Sequence, residues 1–172
     1  SVVAMIVGYG VLAFRDGHGI RPLILGSRPG PEGRSLMVAS ESVALDVSGY
    51  EIMGDVKPGE AVFIDMAGNL HREICCEESI LCPCLFEYVY LARPDSTINE
   101  VAVYKSRLRM GERLGMRLLE SWPNHDIDVV IPVPDTSRTA ALQMANVMGI
   151  KYREGFIKNR YIGRTFIMPE QT

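Results

Sequence analysis

Over residues 1–74 the apolar positions come in short runs, each broken by turn chemistry. VVAMIV, VLAFR, PLILGS, SLMVAS and AVFIDM each predict a short strand. The opening SVVAMIVGYGVLAF is rich in β-branched residues around a central Gly-Tyr-Gly, which reads as a hairpin. Ala67-Gly68-Asn69, between AVFIDM and LHREI, is a second hairpin signal. With no helical pattern between these runs, an antiparallel sheet is expected. Residues 75–84 have no period and predict an irregular connector, after which FEYVYLA (86–92) returns to extended chain. Arg93-Pro94-Asp95-Ser96 is a turn, because Pro fixes φ and Asp or Ser bonds the following amides.

The period then changes. Residues 99–122 predict a helix with Tyr104, Leu108, Leu118, Leu119 and Trp122 on one face, and Arg107, Arg109, Arg113 and Arg117 elsewhere. Gly111 and Gly115 weaken it on propensity but permit close packing, and Pro123 stops it. IDVVIPV is a continuous apolar run, the pattern of a strand buried on both faces of a parallel sheet. A helix over 137–148 follows, with Ala140, Ala141, Met144, Val147 and Met148 inward and Gly149 as its C-cap. IKYREGFI then begins another strand, which makes a βαβ unit. The fold class expected is α+β passing into α/β, with the change near residue 95.

Composition adds mainly exclusions. The chain has 172 residues, 47% hydrophobic and 23% charged, with 21 acids against 18 bases. A net charge of −3 offers no field for nucleic acid and no polybasic surface for membranes. No apolar run approaches the roughly 18–20 residues of a membrane span. The opening segment lacks the basic stretch and cleavage pattern of a signal peptide. The chain starts on Ser inside a strand and stops at FIMPEQT without a capping element, so it reads as a segment of a longer protein. An antiparallel region missing earlier strands would expose an open edge, and such a segment alone is expected to aggregate. Cys75, Cys76, Cys82 and Cys84 are spaced poorly for zinc and too closely for a secreted disulfide framework. Reduced thiols in a cytosolic protein are expected.

Two stretches carry candidate chemistry. Pro134-Asp135-Thr136-Ser137 sits at the carboxyl end of the parallel strand, the edge where open α/β sheets bind ligands. Amides at a helix start and two hydroxyls suit phosphate oxygens or a hydrated magnesium ion. Asp, Thr and Ser are equally ordinary helix caps. Neither G-x-x-x-x-G-K-S/T nor G-x-G-x-x-G is present at this turn, which argues against a P-loop or a Rossmann site. KNRYIGRTF (158–166) places Lys158, Arg160 and Arg164 around Tyr161 and Gly163 in a loop that either closes over a polyanion or is simply solvated. His18, His71 and His125 are scattered, without a partner at catalytic or metal-ligand spacing. Glu41 and Asp16, at strand ends, read as turn residues rather than a carboxylate pair.

Four blocks together resemble one family. GIRPLILG with MVASESVALD, CLFEYVYLARPDS, VIPVPDTS and GFIKNRYIGRTFI are similar, in order, to glutamine phosphoribosylpyrophosphate amidotransferases, or amidophosphoribosyltransferases. The resemblance covers essentially the whole chain. It implies formation of 5-phosphoribosylamine from phosphoribosyl pyrophosphate and glutamine, the first committed step of purine synthesis, in a glycosyltransferase of the cytoplasm. It also implies the end of an N-terminal-nucleophile glutaminase antiparallel sandwich (1–90) followed by the start of a type I phosphoribosyltransferase α/β domain (91–172).

The family's catalytic Cys would precede Ser1 and its acidic-pair signature would follow Thr172, so no catalytic residue is expected here and the segment alone should be inactive. By the same resemblance Asp135, Thr136 and Ser137 form the pyrophosphate loop, with Thr136 at a position linked to Mg2+, and Lys158, Tyr161 and Arg164 belong to a loop that closes over substrate. Some members hold an iron–sulfur cluster, and Cys84 occupies the position of one ligand. Cluster-free relatives keep a Cys there, so a [4Fe-4S] cluster is left open for the full-length protein and not expected in this chain. Purine nucleotide inhibitors and a homo-oligomer when full length are further implications. Two other readings stay open on the residues: a non-catalytic nucleotide- or phosphate-binding regulatory module, and a structural α/β protein that binds no phosphate.

Overall fold

The structure, a computed structural model, describes residues 1–31, 33–159 and 161. It divides into two compact units, Ser1–Met110 and the residues from Gly111 onward. The division falls later than residue 90 because Tyr88, Ala92, Ile98 and Val103 form one buried cluster with Met110 packed against it.

In the first unit, β1 (Val2–Ile6), β2 (Gly10–Phe14), β6 (Glu60–Asp65) and β7 (Leu70–Ile74) form an antiparallel sheet in the order β1-β2-β6-β7. Both expected hairpins are present: Ile6 pairs with Gly10, and Ile64 with Leu70. Asp65 closes the second by accepting from the Ala67 and Asn69 amides, both at 2.9 Å. β1 is an edge strand whose Val2, Val3, Met5 and Ile6 are exposed. A second antiparallel sheet orders β4 (Gly33–Ala39), β3 (Ile24–Gly30) and β5 (Glu51–Asp55) as β4-β3-β5. Ala13, Leu23, Val56 and Val62 make another buried cluster of this unit.

The helix-free expectation for 1–74 is corrected by α1 (Ser42–Val47). Its Leu45 is fully buried, and Gly26 leaves the room: a Cβ there would meet Leu45 Cδ1 at 2.9 Å. Glu41 and Ser42 fasten a distant segment: Glu41 Oε2 accepts from the Arg93 amide (2.9 Å) and Ser96 hydroxyl (2.7 Å), and Ser42 Oγ from the Thr97 amide (2.8 Å). The irregular connector is laid along Gly17–Ile20, with Ile80, Cys82 and Cys84 amides donating to the carbonyls of Gly17, His18 and Ile20.

The extended reading of 86–92 is also corrected. Glu87–Leu91 is a π-helical turn, closed by the Ala92 amide on the Glu87 carbonyl at 2.9 Å. Its aromatic and β-branched composition favours a strand locally. Tertiary contacts decide otherwise, because the buried Arg107 guanidinium donates to the carbonyls of Tyr88 (2.8 Å) and Ala92 (2.7 Å).

The expected long helix starts later, at α2 (Val103–Ser121). A hairpin of β8 (Thr97–Ile98) and β9 (Val101–Ala102) precedes it, turning through Asn99 and Glu100 at φ 47° and 63°. The buried stripe of α2 is Val103, Arg107, Gly111 and Gly115, not the Tyr104 and Trp122 face; both aromatics are about half exposed.

In the second unit β10 (Val129–Val130) and β11 (Lys151–Tyr152) pair in parallel through α3 (Arg138–Met148), the expected βαβ unit. Gly149 ends α3 in the left-handed region (φ 67°), with the Ile150 amide returning to the Ala145 carbonyl. β10 is shorter than IDVVIPV implied, and Ile131 and Val133 are exposed rather than buried on both faces. Ala145 and Met148 are the buried residues of α3, while Ala140, Ala141, Met144 and Val147 are half-buried.

Candidate functional site

The βαβ unit fixes where a ligand would sit. β10 ends at Val130, and the chain turns through Pro132–Ser137 into α3; the Pro134–Asp135 peptide is cis. Ser137 occupies the N-cap position of α3 but makes no side-chain cap bond; its hydroxyl donates instead to the Val133 carbonyl. That outcome goes against the helix-cap reading of the turn. The hydroxyl ties the loop to its own strand, and no side chain closes the helix start, where orphan amides favour an anion.

Asp135 and Lys158, far apart in sequence, are brought together: Lys158 Nζ lies 4.0 Å from Asp135 Oδ2. Arg138 Nη2 lies 3.7 Å from Asp135 Oδ1 and 3.3 Å from Glu154 Oε2. Glu154 Oε1 in turn accepts from the Tyr152 hydroxyl at 3.4 Å, and Tyr152 is held above its ordinary pKa, chiefly by burial, with the Glu154 charge adding to it. Thr136 is half-buried in the same loop. The result is an edge with Asp135 between two cations, Glu154 also on Arg138, and the Thr136 and Ser137 hydroxyls in the same loop. Such a set suits holding an anion rather than acting as a nucleophile or proton carrier.

Not every expected residue joins this group. Tyr161 is fully exposed, its amide donating to Asn159 Oδ1 at 3.0 Å. Arg160 and Arg164 lie outside the described residues. Cys84 is half-buried, with its amide on the Ile20 carbonyl, and all four cysteines are free. Among the described residues no three His, Cys, Asp or Glu side chains gather as a metal site would require.

The sequence reading missed Arg138 and Glu154. A βαβ unit returns its second strand beside the first, so the residue opening the helix and those just past the second strand reach the same edge. That geometry was a usable signal. Elsewhere, His71 has a carboxylate partner after all, Asp65 at 2.9 Å, but it closes a hairpin. Asp16 accepts from the His18 and Ile20 amides, and is the turn residue expected.

No protein-family model matches the chain. Individual proteins do. It is 58% identical over 171 residues to the amidophosphoribosyltransferase of Pseudomonas aeruginosa and 55% over 172 residues to that of Escherichia coli. Over 175 residues it is 49% identical to that of Saccharomyces cerevisiae. Each match covers 99% of this chain and 34% of the relative. Among solved structures, the glutamine phosphoribosylpyrophosphate amidotransferase of B. subtilis, complexed with ADP and GMP, aligns with a TM-score of 0.75 at 37% identity. That alignment covers 95% of this chain and 34% of that one. A structure described as the allosteric regulatory enzyme of purine biosynthesis gives 0.76 at 39% identity, covering 95% and 33%. No helix among the described residues is long and apolar enough to cross a membrane. By sequence and by fold the chain is similar to amidophosphoribosyltransferases, and it spans about a third of the length of the relatives it matches.

Proposed function

We propose that this chain supplies the pyrophosphate-binding edge of an enzyme that makes 5-phosphoribosylamine from phosphoribosyl pyrophosphate and glutamine. The observation that carries the reading is the loop after β10, which holds Asp135, Thr136 and Ser137 at the carboxyl edge of a parallel strand and brings Asp135 to Lys158. On this reading 1–90 belongs to an N-terminal-nucleophile glutaminase sandwich and 91–172 to a type I phosphoribosyltransferase domain. Ammonia released from glutamine attacks the anomeric carbon of the ribose, and the bond to pyrophosphate breaks. The loop holds the departing pyrophosphate, and Lys158 leaves Asp135 to meet its charge. Tyr161 belongs to the segment that closes over the bound substrate and keeps water from the reacting carbon.

Magnesium, when bound, would neutralise part of the pyrophosphate charge. Asp135 already faces two cations and no acidic cluster is present among the described residues. This donor set fits a hydrated ion carried by the substrate's phosphates, with the Thr136 hydroxyl at its periphery. It does not fit an ion caged by protein. A [4Fe-4S] cluster needs four thiolates. The described cysteines do not gather as such a site, so Cys84 would be one ligand of a set completed elsewhere. Purine nucleotides as inhibitors, a homo-oligomer and a cytoplasmic location complete the proposal. The reading as a non-catalytic nucleotide-binding module has no observation in its favour.

Steady-state assay of phosphoribosylamine formation by the intact protein tests this. Thr136→Val should raise the KM for phosphoribosyl pyrophosphate about tenfold, the loss of one hydrogen bond to a charged group. An intact protein that forms no product from the two substrates sinks the proposal.

A further inference from the structure

A phosphate-binding loop with a carboxylate at its centre poses a problem of charge. Asp135 is about two-fifths exposed at the edge where, on the reading above, pyrophosphate arrives. A like charge a few ångströms away disfavours the anion. Lys158 offsets Asp135 in the ligand-free chain, but the same reading sends Lys158 to the pyrophosphate. Only Arg138 then remains on the carboxylate.

Arg138 is built to stay. It is the first residue of α3, so its backbone is fixed by the helix. Its Nη2 is shared between Asp135 and Glu154, which ties it to the segment after β11 as well as to the loop. Its Nε is buried and has no hydrogen-bond partner among the described residues, so the guanidinium is enclosed at its stem rather than swinging in solvent. Lys158, by contrast, is 58% exposed on a long stem and touches Asp135 only at 4.0 Å.

We propose that Arg138 is a positioning residue that neutralises Asp135, and so makes an acidic loop able to accept pyrophosphate once Lys158 has turned to the ligand. The inference rests on the pyrophosphate reading of the loop. Glu154 holds Arg138 from the far side, so the cation serves the carboxylate rather than the anion.

The test is calorimetric titration of the intact protein with inorganic pyrophosphate at low salt, where charge effects are least screened. Arg138→Gln should weaken binding about tenfold, the size of one uncompensated charge near a half-exposed site. Arg138→Lys, which keeps the charge, should stay within about threefold of wild type on the same reasoning. The deciding variant is Asp135→Asn combined with Arg138→Gln, which removes both charges and should return binding to near the wild-type value. Glu120→Gln in the Arg138→Gln background, an exposed acid on α2, should restore nothing. A double variant as weak as Arg138→Gln would mean that Arg138 meets the anion itself or only shapes the loop, and would overturn the inference. Wild-type binding of pyrophosphate with no response to Arg138→Gln would overturn it too, leaving the loop assignment intact. No binding by the wild-type protein removes the loop assignment and this inference together.

Discussion

Replacing Gly111 by Ala should destabilise this protein, against the ordinary sign of that change in a helix. In an open helix Gly→Ala gains about 1 kcal/mol, because Ala loses less backbone freedom and shields the hydrogen bonds. At Gly111 the added methyl would overlap the Ala140 carbonyl oxygen and lie 2.8 Å from that residue's carbonyl carbon and Cα. Those are backbone atoms of α3 and cannot rotate away, so α2 and α3 must separate over the stretch from Gly111 onward. Overpacking of this kind costs about 1–3 kcal/mol, and a backbone-on-backbone clash belongs at the upper end. The net is about 2 kcal/mol of lost stability, a fall in Tm of about 4–8 °C at this chain length. Gly115→Ala is the internal control: its methyl meets the Met144 carbonyl and Val147 side chain at 3.2 Å, so the neighbours yield by tenths of an ångström. There gain and cost nearly cancel. Trp122, the single tryptophan, follows α2 directly, so its fluorescence in a urea titration reports on this unit. A Gly111→Ala variant more stable than wild type would refute the close approach of the two helices.

Two further outcomes follow from buried charges in the first unit. Arg107→Met removes both donors from the Tyr88 and Ala92 carbonyls and leaves those carbonyls buried. At about 1.5–3 kcal/mol for each charged bond, about 3–5 kcal/mol should be lost in urea unfolding, with Arg107→Lys losing less. A loss under 1 kcal/mol for Arg107→Met would contradict the capping role. Burial pushes the Glu60 carboxyl up, but the Arg72 fork at 2.7 and 3.0 Å and the Lys57 amide outweigh it and hold it below the ordinary value. A depressed carboxylate stabilises the fold above its unfolded pKa and loses that contribution as pH falls through the folded one. Stability of wild type relative to Glu60→Gln, followed by urea midpoints from pH 7 downward, should therefore be level above about pH 5 and shrink below about pH 4. A gap that is constant across that range would rule out the linkage.

What the sequence disclosed and what it hid divide by range. Both β-hairpins, the βαβ unit and the Gly149 cap were legible because a turn residue and a few neighbours determine each of them. α1 was not, since six residues give too few turns for a period, and its Leu45 is buried only because Gly26 stands opposite. The π-helical turn at Glu87–Leu91 was misread as strand because its local preference is overruled by Arg107, a residue from the next helix. The stripe of α2 was assigned to the wrong face for the same reason: a rule that keeps arginine outside fails where carbonyls await it. Asp135 and Lys158 were both singled out from the sequence, and the structure brings their side chains to 4.0 Å. Arg138 and Glu154 were not singled out, because their pairing depends on β11 lying beside β10.

The cations of this chain also show how a structural arginine differs from a loosely held lysine. Arg15 is buried, and its guanidinium donates to the carbonyls of Arg21, Val56 and Gly19 and to Asn99 Oδ1, all between 2.7 and 3.0 Å. Arg107 is likewise held by carbonyls at hydrogen-bond distance. Removing either from its place would strand buried acceptors, so neither can turn to a substrate. Lys158, among the described residues, meets a carboxylate only at 4.0 Å and from an exposed stem. Contacts of that length are attraction without a committed hydrogen bond. On the proposed reading, an arriving pyrophosphate therefore has no formed bond to break at Lys158, and gains one when the ammonium turns. The distances separate the two classes of cation, and they place the loosely held one, Lys158, in the segment after β11, beside Asp135.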